Sequence, residues 1–289
     1  MPNGIIIIDK PQEWTSMDVC AKLRGLLREK RIGHAGTLDP MATGVLPVFV
    51  GRATRAVEFA DKGEKEYVAG LRLGLVTNTQ DTSGQVLEQH PVQVTAEQLE
   101  AVLEQFRGDI AQTPPMFSAI KINGKKLYEL ARKGREVERP ARPVTIHSLT
   151  LEGQTAADEF VLRVRCSKGT YVRTLCHDIG AALGCGGCMS SLRRTMAAGF
   201  SLEQAVTLEQ VMQAEDPAAL LLPVDAYFSD RPAHQLPAEL EKKVRNGMTV
   251  VVPDLSDGEY RVYGESSEFL ALCRAEHGKL STIKSFFAV

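Results

Sequence analysis

A chain of 289 residues, 44% hydrophobic and 24% charged, can bury a substantial core, has room for two domains and has the balance of an ordinary soluble globular protein. Its net charge of −2 argues against a protein that coats nucleic acid indiscriminately, while leaving room for a local basic surface. Six cysteines in this length do not make a secreted disulfide framework and no apolar run is long enough for a membrane span, so the expected setting is a reduced cytoplasm without membrane.

Ile5 to Ile8 is a short β-branched run closed by Asp9-Lys10-Pro11 and reads as a buried strand. Thr15 or Ser16 can cap a helix carrying Val19, Leu23, Leu26 and Leu27 at helical spacing. That pattern ends near Lys30, and Gly33-His34-Ala35-Gly36-Thr37-Leu38-Asp39-Pro40-Met41-Ala42-Thr43-Gly44 follows. Three glycines and a proline in twelve residues cannot propagate a helix or a regular strand, so this is a shaped loop. It presents one carboxylate, Asp39, whose backbone the next proline biases towards an extended or turn conformation. Such a loop on a firm scaffold suits chemistry, although Asp-Pro is equally an ordinary turn dipeptide.

After the apolar run Val45 to Val50, the residues Tyr67, Ala69, Leu71, Leu73 and Leu75 alternate as in a half-buried strand, which Asp81-Thr82-Ser83-Gly84 turns back. Thr95 and Gln98 form a capping-box pair ahead of Leu99, Val102, Leu103 and Phe106, with Gly108 as the stop. Phe117 to Ile122 reads as a strand entering an Asn123-Gly124 turn. Val144–Leu151 and Phe160–Cys166 pair as a hairpin, and Gly169-Thr170 opens a helix through Val172, Leu175, Ile179 and Leu183, closed by Gly184. Met189 to Thr195 returns to strand, and two short helices lie around residues 204–222. Strands and helices do not alternate as a doubly wound sheet requires, so the expected class is α+β with a largely antiparallel mixed sheet. The polar stretch Ser229 to His234 marks a boundary. Beyond it a helix pattern (237–245) and strands near Thr249–Val252, Tyr260–Tyr263, Phe269–Arg274 and Thr282–Phe287 predict a small, partly closed β-barrel over 233–289.

Between Lys121 and Arg142, eight Lys or Arg face three Glu, an excess of five in a chain of negative net charge. No Gly-rich nucleotide-binding loop is present. Cys185 and Cys188 have C-x-x-C spacing, but no second pair, finger-spaced histidines or thioredoxin-like context accompanies them. Two buried or incidental cysteines are expected, with no metal site.

Taken singly, His34 reads as a loop hydrogen-bonder, Tyr67 as a buried aromatic and Arg173 as a surface charge. Five motifs together change that reading. They are Asp9-Lys10-Pro11 with Thr15-Ser16; GHAGTLDPMATGVLPV; Lys65-Glu66-Tyr67; QTPPMFSAIKINGKKLYELARKG (112–134); and SKGTYVRTLCHDIG followed by Leu192-Arg193-Arg194. In order, spacing and content, over almost the whole length, they resemble the TruB family of bacterial tRNA pseudouridine synthases, which modify uridine 55 of the T-arm.

The resemblance implies a catalytic domain with a central cleft over 1–230, a basic RNA-binding insertion at about 121–143, and a PUA-like RNA-binding domain over 233–289. It makes Asp39 the catalytic aspartate, Tyr67 the aromatic that stacks on the target base, Arg173 the partner of Asp39 and Leu192 an apolar wall. Lys10, His34 and Tyr171 fall on positions lining the same cleft. The basic segment, with Lys121, Lys125, Lys126, Arg132 and Lys133, becomes a flap over the tRNA. The implied reaction needs no redox step, metal or group donor, so no cofactor is expected. The implied partner is the tRNA T-arm stem-loop, bound by a monomer without an obligate protein partner. Glu13 stands where the family has glycine, Phe117 where it has tyrosine and Cys188 where it has histidine. Two rival readings are a non-catalytic RNA-binding factor, opposed by intact Asp39, Tyr67 and Arg173, and a guide-RNA-dependent synthase, opposed by the segment at 124–143 and the lack of long charged extensions.

Neutralising Lys125, Lys126, Arg132 and Lys133 together is expected to weaken tRNA binding and flatten its salt dependence, leaving turnover at saturating tRNA much less affected. Each charge that meets a phosphate contributes about 0.7–0.9 to the slope of log affinity against log salt, hence roughly 3 for all four. Binding titrations at several salt concentrations measure this, and a wild-type slope in the variant would place the RNA contact elsewhere.

Overall fold

The computed structural model describes residues 1–122 and 124–288. The isoleucine run forms β1 (Gly4–Lys10), and it is apolar throughout because both its faces are covered. Ile6 and Ile8 enter one core and Ile5 and Ile7 a second, each side chain contributing about 1.5–3 kcal/mol on burial. Helix α1 (Ser16–Leu27) is capped by Thr15 rather than Ser16: the Thr15 hydroxyl accepts from the Asp18 N–H, and the Asp18 carboxylate accepts from the Thr15 N–H. Then follow β2 (Ile32–His34), β3 (Thr43–Val50), the single turn α2 (Val57–Ala60) and β4 (Lys65–Leu73). The alternation expected to run on to Leu75 stops at Leu73, because Gly74 takes a φ of 77° and turns the chain into the hairpin β5 (Leu75–Thr77) and β6 (Val86–Gln89).

Helix α3 (Ala96–Leu103) has the expected Thr95/Gln98 capping box and leads to β7 (Gly108–Gln112). The strand expected over Phe117–Ile122 is reduced to the two-residue β8 (Lys121–Ile122), paired with β9 (Lys125–Lys126). Other partners claim its backbone. The Phe117 carbonyl accepts from Arg173, and the Ser118 and Ile120 carbonyls accept from the N–H groups of Tyr128 and Leu127, at the start of α4 (Leu127–Ala131). Of the turn expected after it, Asn123 lies outside the described residues. The hairpin of β10 (Arg142–Ala156) and β11 (Glu159–Cys166), helix α5 (Val172–Ala182) and strand β12 (Gly187–Ala197) follow, then β13 (Phe200–Ser201) and α6 (Leu208–Gln213).

The main sheet has nine strands, in the order β1-β3-β12-β4-β11-β10-β7, with β2 added on β3 and β13 on β12. Every pairing is antiparallel except β3 with β12, so the fold is α+β with a mixed, largely antiparallel sheet, as expected. The loop carrying Asp39 joins β2 to β3, and β12 lies between β3 and β4. Arg194 is thereby opposite Gly44 on one side and Tyr67 on the other.

The C-terminal residues build a separate curled half-barrel sheet from β14 (Ala233–Gln235), β15 (Val250–Val251), β16 (Gly258–Tyr263), β17 (Phe269–Glu276) and β18 (Lys279–Ser285), in the order β14-β16-β17-β18-β15, with α7 (Ala238–Arg245) packed alongside. Leu236, Val244, Val262, Leu270 and Leu280 fill its core. Strand β14 had no period-2 signal and exists through its parallel pairing with β16. This sheet is tied to the larger one by Arg52 Nε donating to the Phe286 carbonyl (2.8 Å), Arg55 Nη1 donating to the Ser285 carbonyl (2.9 Å) and a Lys284–Glu58 ion pair (2.5 Å). No helix among the described residues is long and apolar enough to cross a membrane.

Gly44 ends the Asp39 loop with a φ of 102°, and a Cβ there would lie 2.1 Å from the Arg194 carbonyl oxygen. Gly44→Ala should therefore destabilise the protein by at least about 2 kcal/mol, combining backbone strain with overpacking. A lowered urea midpoint at unchanged slope would measure this.

Candidate active site

The Asp39 loop is fixed from both sides by side chains that satisfy its backbone. The buried Ser16 hydroxyl accepts from the Leu38 N–H at 2.9 Å and donates to the Leu38 carbonyl at 3.3 Å. Lys10, fully buried at the end of β1, donates from Nζ to the carbonyls of Pro11 (2.8 Å), Trp14 (2.6 Å) and Pro40 (3.2 Å). Burial pulls its ammonium down to about 8, the nearby Asp39 carboxylate opposing the shift. Glu13 donates its N–H to the same Pro40 carbonyl at 2.9 Å with a φ of 67°. The left-handed backbone gives the physical reason for glycine in the family pattern; here a glutamate tolerates it.

Arg173 projects from the first turn of α5, whose N-terminus is pinned by Gln112: its Oε1 accepts from the Tyr171 N–H at 2.7 Å and its Nε2 donates to the Tyr171 carbonyl at 3.0 Å. The guanidinium is almost fully engaged. Nε faces the Asp39 carboxylate at 3.0 Å, Nη1 donates to the Thr79 carbonyl at 3.0 Å and lies 3.5 Å from Asp81, and Nη2 donates to the Phe117 carbonyl at 3.0 Å. The expected Asp39–Arg173 partnership is present, and Arg173 is buried rather than a surface charge.

The Asp39 side chain is 39% exposed, so a reactant can reach it, yet the cleft walls strip much of its hydration. This burial pushes the carboxyl up; Arg173 opposes it, and Asp81 adds to it. Asp81 is a site residue that sequence reasoning missed. Its other oxygen accepts from the Thr79 hydroxyl (2.8 Å), the Ser83 N–H (3.0 Å) and the Ser83 hydroxyl (2.5 Å). Those local bonds are what any Asp-centred turn would make, so its contact with Arg173 has no sequence signature.

Tyr67 on β4 is 7% exposed, and Leu192 on β12 is half-buried opposite Ala69. Burial raises the Tyr67 phenol, with the neighbouring Arg194 opposing it. Asp39 acts electrostatically on Lys10, Tyr67 and Tyr171, so these expected residues do converge on it. His34 does not join that cluster. It lines an open groove on the other side of the loop with Thr37, Arg55, Lys62, Lys168 and Lys284, and burial lowers its imidazole. A larger cavity lies beside Asp39 rather than around it, bounded by Gln80, Met116, Phe117, Arg139 and His177, and it meets the site at Phe117.

The basic segment reaches the site through the same Phe117 carbonyl. Lys121, Lys125, Arg132 and Lys133 are exposed, while Lys126 and Arg132 flank the Tyr128 ring at 5.4 and 5.3 Å. None of these cations pairs with a carboxylate among the described residues. Cys185 and Cys188 are both buried thiols, and no group of three metal-ligating side chains occurs among the described residues.

Comparison with known proteins assigns this chain to a class, the pseudouridine synthases. Residues 24–172 match the TruB family pseudouridylate synthase N-terminal domain, 173–229 the tRNA pseudouridylate synthase B C-terminal domain, and 232–282 the C-terminal region of pseudouridine synthase II TruB. The chain is 44% identical over 282 residues to tRNA pseudouridine synthase B of Azoarcus sp. (strain BH72), covering 96% of this chain and 93% of that one. It is 40% identical over 289 residues to the enzyme of that name from Francisella tularensis subsp. novicida (strain U112), covering 98% and 95%. A solved Cbf5-Nop10-Gar1 complex contains a chain of the same fold, with a TM-score of 0.73, 27% identity and coverage of 98% of this chain and 85% of that one. The chain belongs to the TruB family of pseudouridylate synthases, which are isomerases.

In the site, Arg173 supplies the main attraction holding the Asp39 carboxyl ionised against burial and Asp81. Arg173→Gln removes it, so Asp39 should gain its proton at higher pH. The acid limb of the pH–rate profile should move upward and turnover near neutrality should fall, as initial rates across the acid-to-neutral range would record.

Proposed function

We propose that this chain isomerises uridine 55 in the T-loop of tRNA to pseudouridine, using Asp39 on a base extruded from the RNA. The observation that carries the reading is the 3.0 Å Asp39–Arg173 pair, whose carboxylate stays accessible in a chain that belongs to the TruB family. The N1–C1′ bond breaks, the base turns, a C5–C1′ bond forms, and a proton leaves C5 while N1 gains one. Positive charge grows on the sugar as the first bond breaks, the situation in which glycosidases use a carboxylate. Asp39 can attack C1′, stabilise that charge or take a sugar proton, and Arg173 keeps it ionised and aimed for each of these. Tyr67 offers its ring to the base and its hydroxyl to the C5 proton, and Leu192 forms an apolar wall.

Extruding the base costs a few kcal/mol, which phosphate contacts must offset. Residues 1–230 act as the catalytic domain and 233–289 as an RNA-binding domain. The exposed cations Lys121, Lys125, Arg132 and Lys133 and the half-buried Lys126, none paired with a carboxylate among the described residues, suit a flap on the RNA backbone. The lysine-bearing groove at His34 suits the same backbone further along. The enzyme would work in the cytoplasm as a monomer, without cofactor. The likeness to Cbf5 in its complexes favours a second reading, guide-directed modification with protein partners.

One assay separates these. Purified protein with an unmodified T-arm stem-loop and no additives should yield pseudouridine at the position of uridine 55. Activity only with a guide and partners would establish the second reading. Asp39→Asn should abolish turnover while tRNA affinity stays within a few-fold, since binding is spread over many phosphate contacts. Substantial turnover by a verified Asn variant would sink the assignment.

A further inference from the structure

Among the described residues Arg194 is the largest fully buried side chain, and no carboxylate lies within ion-pair distance of it. A buried guanidinium without a counter-ion is costly, and burial accordingly lowers its pKa, with Tyr67 opposing the shift. Its place in the fold shows what it is used for. Nε donates to the Val45 carbonyl at 2.7 Å and Nη2 to the Gly36 carbonyl at 3.1 Å, so the two nitrogens grip the catalytic loop on either side of Asp39. Gly36, with a φ of 75°, is packed so closely that a Cβ there would lie 3.2 Å from Nη1. Nη1 itself is buried with no hydrogen-bond partner. Across the strand pair stands Tyr67, directly opposite Arg194, close enough for each to favour the other's charged form although no hydrogen bond of standard geometry joins them. A spare buried donor beside a phenol is uncommon and calls for a physical account.

We propose that Arg194 is a positioning residue that braces the Asp39 loop and supports Tyr67 as a proton shuttle, its Nη1 donating to the phenolic oxygen when that oxygen becomes negative. The step balances without any outside reagent. When N1–C1′ breaks, the electron pair stays on N1, which takes the Tyr67 proton and leaves a phenolate. After C5–C1′ forms, the phenolate takes the proton from C5 and the phenol is restored. The net result is one proton moved from C5 to N1. A phenolate in this buried site needs a fixed positive charge at its oxygen, and Arg194 is the group placed to provide it. The inference rests on the reading of Tyr67 given above.

Arg194→Gln keeps hydrogen-bonding groups and removes the charge, and Arg194→Lys keeps the charge and loses the planar array of donors. Both should lower kcat by roughly 100-fold with KM and tRNA affinity unchanged. In a Tyr67→Phe background the same substitutions should cost little more, because the two residues act as a unit. With 5-deuterated uridine in the T-arm, Arg194→Gln should show a primary isotope effect absent from the wild type, since loss of the C5 proton becomes rate-limiting. Wild-type kcat in Arg194→Gln, multiplicative losses in the double variants, or no isotope effect would each overturn the proposal. So would failure of both variants to fold, which would make Arg194 a structural bolt only. Full turnover by Tyr67→Phe would instead remove the reading of Tyr67 on which the inference stands.

Discussion

Arg173 joins four stretches of chain that are far apart in sequence. Its guanidinium meets the Asp39 carboxylate, the Thr79 carbonyl together with Asp81, and the Phe117 carbonyl, while its own helix is pinned to Gln112 through Tyr171. A planar cation with donors in fixed directions can hold such a convergence where a lysine ammonium could not. The Asp39 loop, the β5–β6 hairpin and the start of the basic segment are therefore positioned by one group. Burial raises the Asp39 carboxyl, Arg173 opposes that shift and Asp81, which shares the same arginine, adds to it, while the side chain remains solvent-accessible. A carboxylate that is attracted, but incompletely hydrated, is better suited to meeting charge on a sugar than one fully hydrated in water.

The loop that bears Asp39 is held by a second strategy. It is too rich in glycine and proline to form a ladder, so its backbone groups are satisfied by side chains projecting into it: Ser16 at Leu38, Lys10 at Pro40, Arg194 at Gly36 and Val45. Three of the cations around it, Lys10, His34 and Lys65, are pulled towards neutrality by burial, and Arg194 adds to each shift.

Outside the cleft the charge is arranged on a different principle. Lys121, Lys125, Arg132 and Lys133 of the basic segment are exposed and unpaired with carboxylates among the described residues, and Lys126 and Arg132 lie against Tyr128. Exposed charges of this kind do little for stability and are available to an anionic partner, whereas the buried arginines are spent on internal geometry.

The amino-acid sequence by itself determined the local elements and the chemistry on offer. The isoleucine run, the Thr15 and Thr95 caps, the β10–β11 hairpin and the glycine-rich loop each follow from short-range preferences, and the five motifs named Asp39, Tyr67 and Arg173. Tertiary structure decided the rest. Phe117–Ile120 failed to become strand because its carbonyls found nearer donors in Arg173 and at the start of α4. Strand β14 exists only because β16 is beside it. Arg194 looked like any strand arginine until parallel pairing of β12 with β3 and antiparallel pairing with β4 set it beside the Asp39 loop, and Asp81 like any turn aspartate until its bridge to Met189 and its contact with Arg173 set it there. A side chain's local pattern records the bonds it makes with its neighbours in sequence. Its burial and its electrostatic partners depend on segments far away in sequence, more than a hundred residues away for Arg194, and those are fixed only when the sheet closes over the cleft.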